Sequence, residues 1–281
     1  MEKSLNKSWY KLRVMSAVFA SLCFLNLNIL NPKLGLFAAE VTFEATNYAY
    51  EELDGNNQFF MSDKSSTPLL GFGLRDWDIK IIERKLISNE WKFLYTIEYS
   101  FGKVNYSSAG TGTKIKDYYK GRVEGYVSKR ININKTKTRS FVGLGYRDLF
   151  DDSGNQLTST NHMGYDRLSQ YYYMPVGMIW YINDVWLLKS QYNYLIQGKQ
   201  TSYLYDVLPG TYNVNPVNTQ RLGWGFDVTL NKKLNSNWSY YGFFRYWDLE
   251  DSDSVSCSSS SSCMEPRNTT NEIGIGISYG F

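Results

Sequence analysis

The segment WKFLYTIEYSFG, residues 91–102, decides the fold of this chain. Its odd positions from Trp91 to Phe101 are large and apolar, whereas its even positions are mostly polar, charged or small. Alternate residues of a β-strand point to opposite faces of the sheet, so the pattern predicts a strand with one aromatic face and one polar face. A soluble β-sandwich could show the same alternation, and further strands are needed to distinguish the two folds.

The same alternation recurs along the chain, most regularly at its end. Isoleucines at 273, 275 and 277 continue in phase to Tyr279 and Phe281, while glycines alternate with them. Small residues on the polar face suit the inside of a narrow barrel. Shifts of phase near Asn47 and Arg75 predict bulges in the first two strands. We predict ten strands, at residues 40–51, 68–82, 90–104, 117–130, 138–149, 167–182, 185–199, 219–231, 236–249 and 269–281.

The predicted connections alternate in length, which is typical of outer-membrane barrels. We predict short turns at 83–89, 131–137, 183–184 and 232–235, and long polar loops at 52–67, 105–116, 150–166, 200–218 and 250–268. The predicted fold is therefore all-β, a single transmembrane antiparallel up-and-down barrel of about ten strands. It would occupy 40–281 and lie in the outer membrane of a Gram-negative cell, with both ends on the periplasmic side. The aromatic residues predicted to mark the membrane interfaces are Trp91, Trp180, Trp186, Trp224 and Trp238.

Residues 1–39 are predicted to be a cleavable signal peptide, and an uncleaved anchor helix is the alternative. Four basic residues within the first 13 precede an apolar segment from Val14 to Leu30, and Ala38-Ala39 then precede Glu40. Of 30 basic and 27 acidic residues, five and one lie in 1–39, which leaves 25 basic and 26 acidic residues. The basic excess therefore belongs to the export signal, and the charge gives no reason to expect a nucleic-acid partner.

Two cysteines, Cys257 and Cys263, remain after the signal peptide and flank a run of serines. In an exported loop such a close pair predicts a disulfide. A metal site is the alternative, but no histidine or third cysteine lies nearby in the sequence.

Several motifs resemble the OmpA/opacity-like superfamily of outer-membrane β-barrels, and more narrowly a group of single-domain bacterial barrels that are mostly uncharacterised. These motifs are Gly-Leu-Gly-Tyr-Arg at 143–147, Tyr-Tyr-Tyr-Met-Pro-Val-Gly at 171–177, Arg-Tyr-Trp at 245–247 followed by acids, and Glu-Pro-Arg-Asn-Thr at 265–269. The resemblance spans nearly the whole chain after residue 39 and implies the barrel fold, but it supplies no catalytic residues. The aromatic end of the last strand, Tyr279 and Phe281, resembles the signal that the bacterial barrel-assembly machinery recognises.

Charged residues of both signs recur on the predicted inward faces. Buried charges must be paired, so we expect an ion-pair network that fills the lumen. A water-filled pore is the alternative, although a barrel of about ten strands leaves little room once side chains fill it. The predicted network residues are Glu98, Lys120, Arg122, Glu124, Arg147, Lys189, Asp227, Arg245 and Glu272.

An enzyme is the least favoured reading. Ten strands is also the number in omptin proteases, and Asp76 and Asp78 form an acidic pair that we expect to bind lumen bases. The single histidine, His162, has no neighbouring acid of the omptin type. A Gly-x-Ser-x-Gly match at 276–280 falls inside the last strand, where a nucleophile elbow cannot form.

The sequence thus predicts a non-enzymatic outer-membrane protein that serves envelope structure or surface interaction through its long loops. A narrow porin-like channel for small polar solutes is the alternative. We expect no cofactor and no metal. The expected partners are outer-membrane lipid, lipopolysaccharide and, during biogenesis, the barrel-assembly machinery.

Overall fold

The computed structural model describes residues 40–77, 91–133 and 136–280. The predicted signal peptide, Asp78 and Phe281 lie outside the described residues. Within them, no helix has the length and apolar character needed to cross a membrane.

The strands are β1 Glu40–Leu53, β2 Phe59–Ser65, β3 Leu69–Asp76, β4 Trp91–Ser108, β5 Gly112–Ile133, β6 Thr136–Asp152, β7 Arg167–Tyr181, β8 Trp186–Ser202, β9 Val217–Gln220, β10 Gly223–Lys233, β11 Trp238–Leu249, β12 Ser254–Ser256, β13 Ser262–Met264 and β14 Asn268–Gly280.

Twelve of these strands close into one antiparallel barrel, and β12 and β13 form a separate two-stranded hairpin. Neighbours in sequence pair with each other, and β1 pairs with β14 to complete the circuit. β2 and β3 together occupy the place between β1 and β4, and β9 and β10 together occupy the place between β8 and β11. Counting each of these two pairs once gives ten barrel strands, which confirms the predicted all-β up-and-down barrel.

Two barrel strands are interrupted. The break between β2 and β3 falls at residues 66–68 and includes Pro68, which has no N–H to donate to a neighbouring strand. The break between β9 and β10 falls at Arg221 and Leu222, yet both segments keep one register against β8. The interruptions therefore leave the circuit closed.

The lengths of two predicted loops are wrong. Residues 105–116 form a tight hairpin, because β4 and β5 stay paired up to Ser108 and Gly112. Residues 52–67 contain β2, which pairs with β1 and β4. On their outward side both segments mix polar residues with isolated apolar ones such as Ile115 and Phe60, so they lack the regular apolar alternation that marks strands facing lipid. These strands extend the barrel wall beyond the membrane.

The predicted bulges near Asn47 and Arg75 are also absent from the described residues, since β1 keeps one register against β14 and β3 keeps one register against β1 and β4. Burial alternates through the whole of β1, and Tyr48 and Tyr50 point into the barrel in phase with the polar residues below them. Because these inward residues of β1 are aromatic, the apolar positions in the sequence change from odd to even numbers although the strand itself is regular. The register shift of this strand lies between Glu52 and Leu53.

The outward face of the barrel is apolar. Ile275 is 71% exposed and Leu144 is 69% exposed, although both lie in the middle of regular strands. A soluble barrel would hide such residues, whereas lipid favours them. With charges inside and apolar residues outside, the protein is an outer-membrane β-barrel, as predicted.

Aromatic residues border the apolar band at two heights. Near the end with short turns, Trp238 packs against Tyr279 with ring centroids 4.9 Å apart. Toward the loop end, Trp224 lies between Tyr192 and Tyr246, at 6.2 and 5.3 Å. Such girdles mark the two membrane interfaces of barrels of this kind. Trp91, Trp180 and Trp186 join the lower girdle, and Trp224 belongs to the upper one.

Candidate functional site

The middle of the lumen holds a network of five acidic and five basic side chains, all buried or nearly so. The alternation of each strand directs them inward, and their formal charges cancel. A balanced network can stay ionised because each charge has an opposite partner close by. Its members are Glu44, Glu98, Glu124, Asp227 and Glu272 with Lys120, Arg122, Arg147, Lys189 and Arg245.

Three residues link most of this network. Arg245 lies 3.0 Å from Glu98, 3.4 Å from Glu272 and 3.5 Å from Glu44. Arg122 binds Glu98 at 2.8 Å and Asp227 at 2.7 Å. Glu272 also accepts hydrogen bonds from Lys120 and from Arg147, the latter at 3.3 Å. The network therefore ties β1, β4, β5, β6, β10, β11 and β14 together across the barrel.

Glu124 and Lys189 are held mainly by neutral groups. Glu124 accepts hydrogen bonds from Tyr173 and Gln191, each at 2.8 Å. The Lys189 ammonium donates to the Tyr126 hydroxyl at 3.0 Å and lies 4.5 Å from the centre of the Trp77 ring. An ammonium over an aromatic face is stabilised by the ring's negative charge density. These contacts fill the lumen rather than leave a charged group open to solvent.

Apolar layers lie on both sides of the charge network. The lower layer comprises Trp77, Leu94, Tyr126, Phe141, Ile179 and Leu187. The upper layer comprises Tyr48, Tyr50, Met61, Leu69, Val104, Tyr118, Leu149, Tyr171, Tyr173, Leu195, Trp247 and Leu249. Between them, residues of the network and Trp247 line a cavity of about 20 Å³, roughly the space of one water molecule.

A second charged cluster, which the sequence did not predict, lies at the loop end of the upper apolar layer, where Lys116 pairs with Val104 and Glu52 with Met61. Arg167 lies 3.3 Å from Asp151 and 3.5 Å from Asp63, and it also pairs with Glu52. Lys116 joins the same cluster through Asp63, at 2.9 Å. All these residues fall in or beside segments predicted as loops. Lys116 lies in phase with Lys120 on β5, and continuing that alternation upward could have revealed it.

Glu265 completes this upper cluster from the segment before β14. Tyr50 donates to it at 2.9 Å, Gln200 also donates to it, and Arg167 lies 3.9 Å away. Burial first, and then the neighbouring Glu52 carboxylate, raise the pKa of Glu265 well above its usual range. The cluster contains four acids and two bases, so a protonated Glu265 reduces its excess negative charge.

The disulfide lies in the last loop. Cys257 and Cys263 are bonded and close the small hairpin of β12 and β13. The hairpin is also tied to β9 and to the loop before it, because Asn213 donates to the Cys257 carbonyl at 3.0 Å and Asn218 of β9 to the Cys263 carbonyl at 2.9 Å. These bonds give the loop end a defined structure.

The residues considered for catalysis are not brought together. His162 lies in the exposed loop between β6 and β7, where its Nδ1 contacts Thr160 at 2.9 Å. Asp76 follows the outward phase of Leu74, opposite to Arg75, in the register of β3 against β4. Ser278 is buried in β14, 2.6 Å from Ser239. The described residues also contain no group of histidine, cysteine and acidic side chains that could hold a metal.

Comparisons with known proteins identify neither a family nor a function for the chain. No family model matches the chain, and no curated protein matches it. It is similar to the outer membrane protease OmpT from Escherichia coli, with a TM-score of 0.49, 10% identity, and coverage of 86% of this chain and 96% of that one. It is also similar to Ail, the attachment invasion locus protein of Yersinia pestis, with a TM-score of 0.35, 10% identity, and coverage of 88% of this chain and 100% of that one. A third similar structure is an outer membrane channel from Pseudomonas putida F1, with a TM-score of 0.40, 9% identity, and coverage of 87% of this chain and 95% of that one. Likeness at this level carries no argument about activity.

Proposed function

We propose that this barrel is a non-enzymatic outer-membrane protein that acts through its loop end, in envelope structure or surface interaction. The observation that carries the proposal is the layered filling of the lumen. Two apolar layers and a neutral ion-pair network are stacked along the barrel, and residues of the network line a cavity of about 20 Å³. A path for solutes would require several buried ion pairs to separate.

The loop end supports the second half of the proposal. β4 and β5 continue as a paired hairpin beyond the apolar band, and the loop of β12 and β13 is closed by a disulfide. Ordered backbone above the membrane lowers the entropy that a binding surface would lose on contact with a partner. The outward apolar face is expected to contact outer-membrane lipid and lipopolysaccharide.

Conductance separates this proposal from the narrow-channel alternative. Purified barrel should give no discrete current steps in planar bilayers at about 0.1 V, while a general porin inserted under the same conditions should conduct. Regular steps from the wild-type barrel would instead favour a channel for small polar solutes.

A cellular experiment then tests the loop end. Residues 251–266 are replaced by a short Gly-Ser linker, which leaves β11 and β14 intact. We expect reduced attachment of cells to surfaces if the protein mediates contact, or increased entry of bulky antibiotics if it supports the envelope. Unchanged attachment and permeability, with normal amounts of folded barrel, would contradict the proposal.

A further inference from the structure

Lys232 occupies an unusual place on the outward face at the short-turn end. It lies opposite Trp186 on one neighbouring strand and opposite Tyr240 on the other. Its ammonium is 5.2 Å from the centre of the Trp186 ring and 5.7 Å from that of Tyr240. Within the described part of the chain, no carboxylate forms an ion pair with Lys232. The rings of Trp186 and Tyr240 thus hold the Lys232 ammonium, and no described residue supplies an opposite charge to it.

A shallow apolar groove begins just above this lysine. Leu230, Gly242 and Ile275 lie side by side on three adjacent strands, and all point outward. A methyl group added at Gly242 would meet only one atom within 4 Å, the Gly274 carbonyl oxygen at 3.9 Å. Leu230 is 42% exposed and Ile275 is 71% exposed. The glycine therefore leaves an open furrow between two apolar ridges.

The other described residues at this end of the barrel carry more basic than acidic side chains. Lys129 repeats the arrangement of Lys232, because it lies opposite Trp91 with its ammonium 5.4 Å from the ring centre. The acidic side chains here, among the described residues that are at least partly exposed, are Asp76 and Asp184. The basic ones are Lys92, Lys129, Arg130, Lys137, Lys232 and Lys233. A surface of this charge attracts anions from the adjacent leaflet.

We propose that Lys232, Trp186 and Tyr240 bind the phosphate of an anionic phospholipid in the periplasmic leaflet, with an acyl chain in the groove at Gly242. The ammonium supplies the charge and three hydrogen-bond donors, and the rings lie at the height of the head groups. The groove distinguishes this ligand from free phosphate, because only a lipid has a chain to place there. The site is independent of the function proposed for the loop end.

Lipid retention tests the proposal. The full barrel is exchanged into detergent containing equal amounts of phosphatidylglycerol and phosphatidylcholine, washed, and analysed for bound lipid by native mass spectrometry. The wild type should retain phosphatidylglycerol in excess. K232Q should lower that excess about fivefold, the effect of one interfacial lysine near an anionic lipid. K232R should retain it, and K199Q at the loop end is the matched control. Heat-modifiability on gels shows that each variant is folded.

G242L separates a lipid site from a phosphate site. It fills the groove but keeps Lys232, so it should reduce retention of phosphatidylglycerol as K232Q does. Equal retention of the two lipids by the wild type, or unchanged retention by K232Q, would overturn the proposal. So would displacement of the lipid by millimolar inorganic phosphate together with no effect of G242L, because the site would then hold phosphate alone. If K232Q fails to fold, G242L decides the outcome.

Discussion

At the scale of single residues, the two faces of β14 should respond differently to substitution. Ile275 is exposed on the apolar face, so Ile275→Arg should destabilise the barrel by about 2–4 kcal/mol. Ile275→Val should cost much less because no charge enters the hydrocarbon. Urea-dependent unfolding in lipid vesicles, followed by tryptophan fluorescence, measures the difference. Equal stability of the two variants would show that this face does not lie in lipid.

The neighbouring Gly274 illustrates what the sequence alone misjudges. Because Gly274→Ala introduces no charge, alternation predicts a mild effect. In the structure, however, an added Cβ would lie 2.3 Å from the Phe243 ring and 2.7 Å from the Ala45 carbonyl oxygen. We expect a loss of about 1–3 kcal/mol, typical of overpacking. Gly242→Ala is the matched control, since space is open there, and it should be nearly neutral in the same unfolding assay.

Glu265 should make stability fall as pH rises. Its pKa is raised in the folded protein by burial and by Glu52. Its stabilising contribution is therefore complete below the unfolded value of about 4.3 and is lost as pH rises through the folded pKa. Glu265→Gln should gain stability relative to the wild type over that window, by at most about 1.4 kcal/mol per pH unit. The free energy of unfolding of both proteins is measured from pH 4 to 8. The difference between the two isolates Glu265, because the contributions of the other titrating groups cancel. A constant difference would contradict the expectation.

At the scale of elements, the disulfide should order its loop without holding the barrel together. Cys257 and Cys263 are six residues apart and lie outside the barrel strands. A ring this small should contribute about 3 kcal/mol at most. Cys257→Ser with Cys263→Ser should leave the barrel folded on unheated gels but speed protease cleavage in residues 254–264. Cleavage at the wild-type rate would show that the hydrogen bonds from Asn213 and Asn218 suffice to order the hairpin.

At the scale of the whole molecule, the ion-pair network should stabilise the barrel by joining strands that are far apart in sequence. Arg245→Met leaves Glu44, Glu98 and Glu272 without a shared cation and should cost about 3–5 kcal/mol. Arg267→Met is the matched control, because its pair with Asp248 is partly exposed and should be worth less than about 1 kcal/mol. Comparable losses in urea unfolding would mean that the lumen is hydrated enough to screen its charges.

The sequence by itself determined the barrel. Alternation in segments such as 91–102 and 268–280 sets which residues face lipid, and this pattern is local because successive side chains of a strand point to opposite faces. Inward phase and charge can both be read along one strand, and the nine residues predicted for the lumen network lie in it, but Glu44 belongs to it too and was not predicted.

Only the tertiary structure decided which charges meet and how far the strands extend. Arg245 contacts Glu44 and Glu98, which are distant in sequence and come together only when β1 and β14 close the barrel. Above the membrane the outward side of a strand needs no apolar residues, so the hairpin of β4 and β5 resembles a loop in sequence. The upper cluster around Arg167 was not predicted for the same reason, because the strands that carry it lack regular apolar alternation above the membrane. Lipid imposes a pattern on the residues that it touches, whereas pairing inside a closed lumen depends on register across the whole barrel.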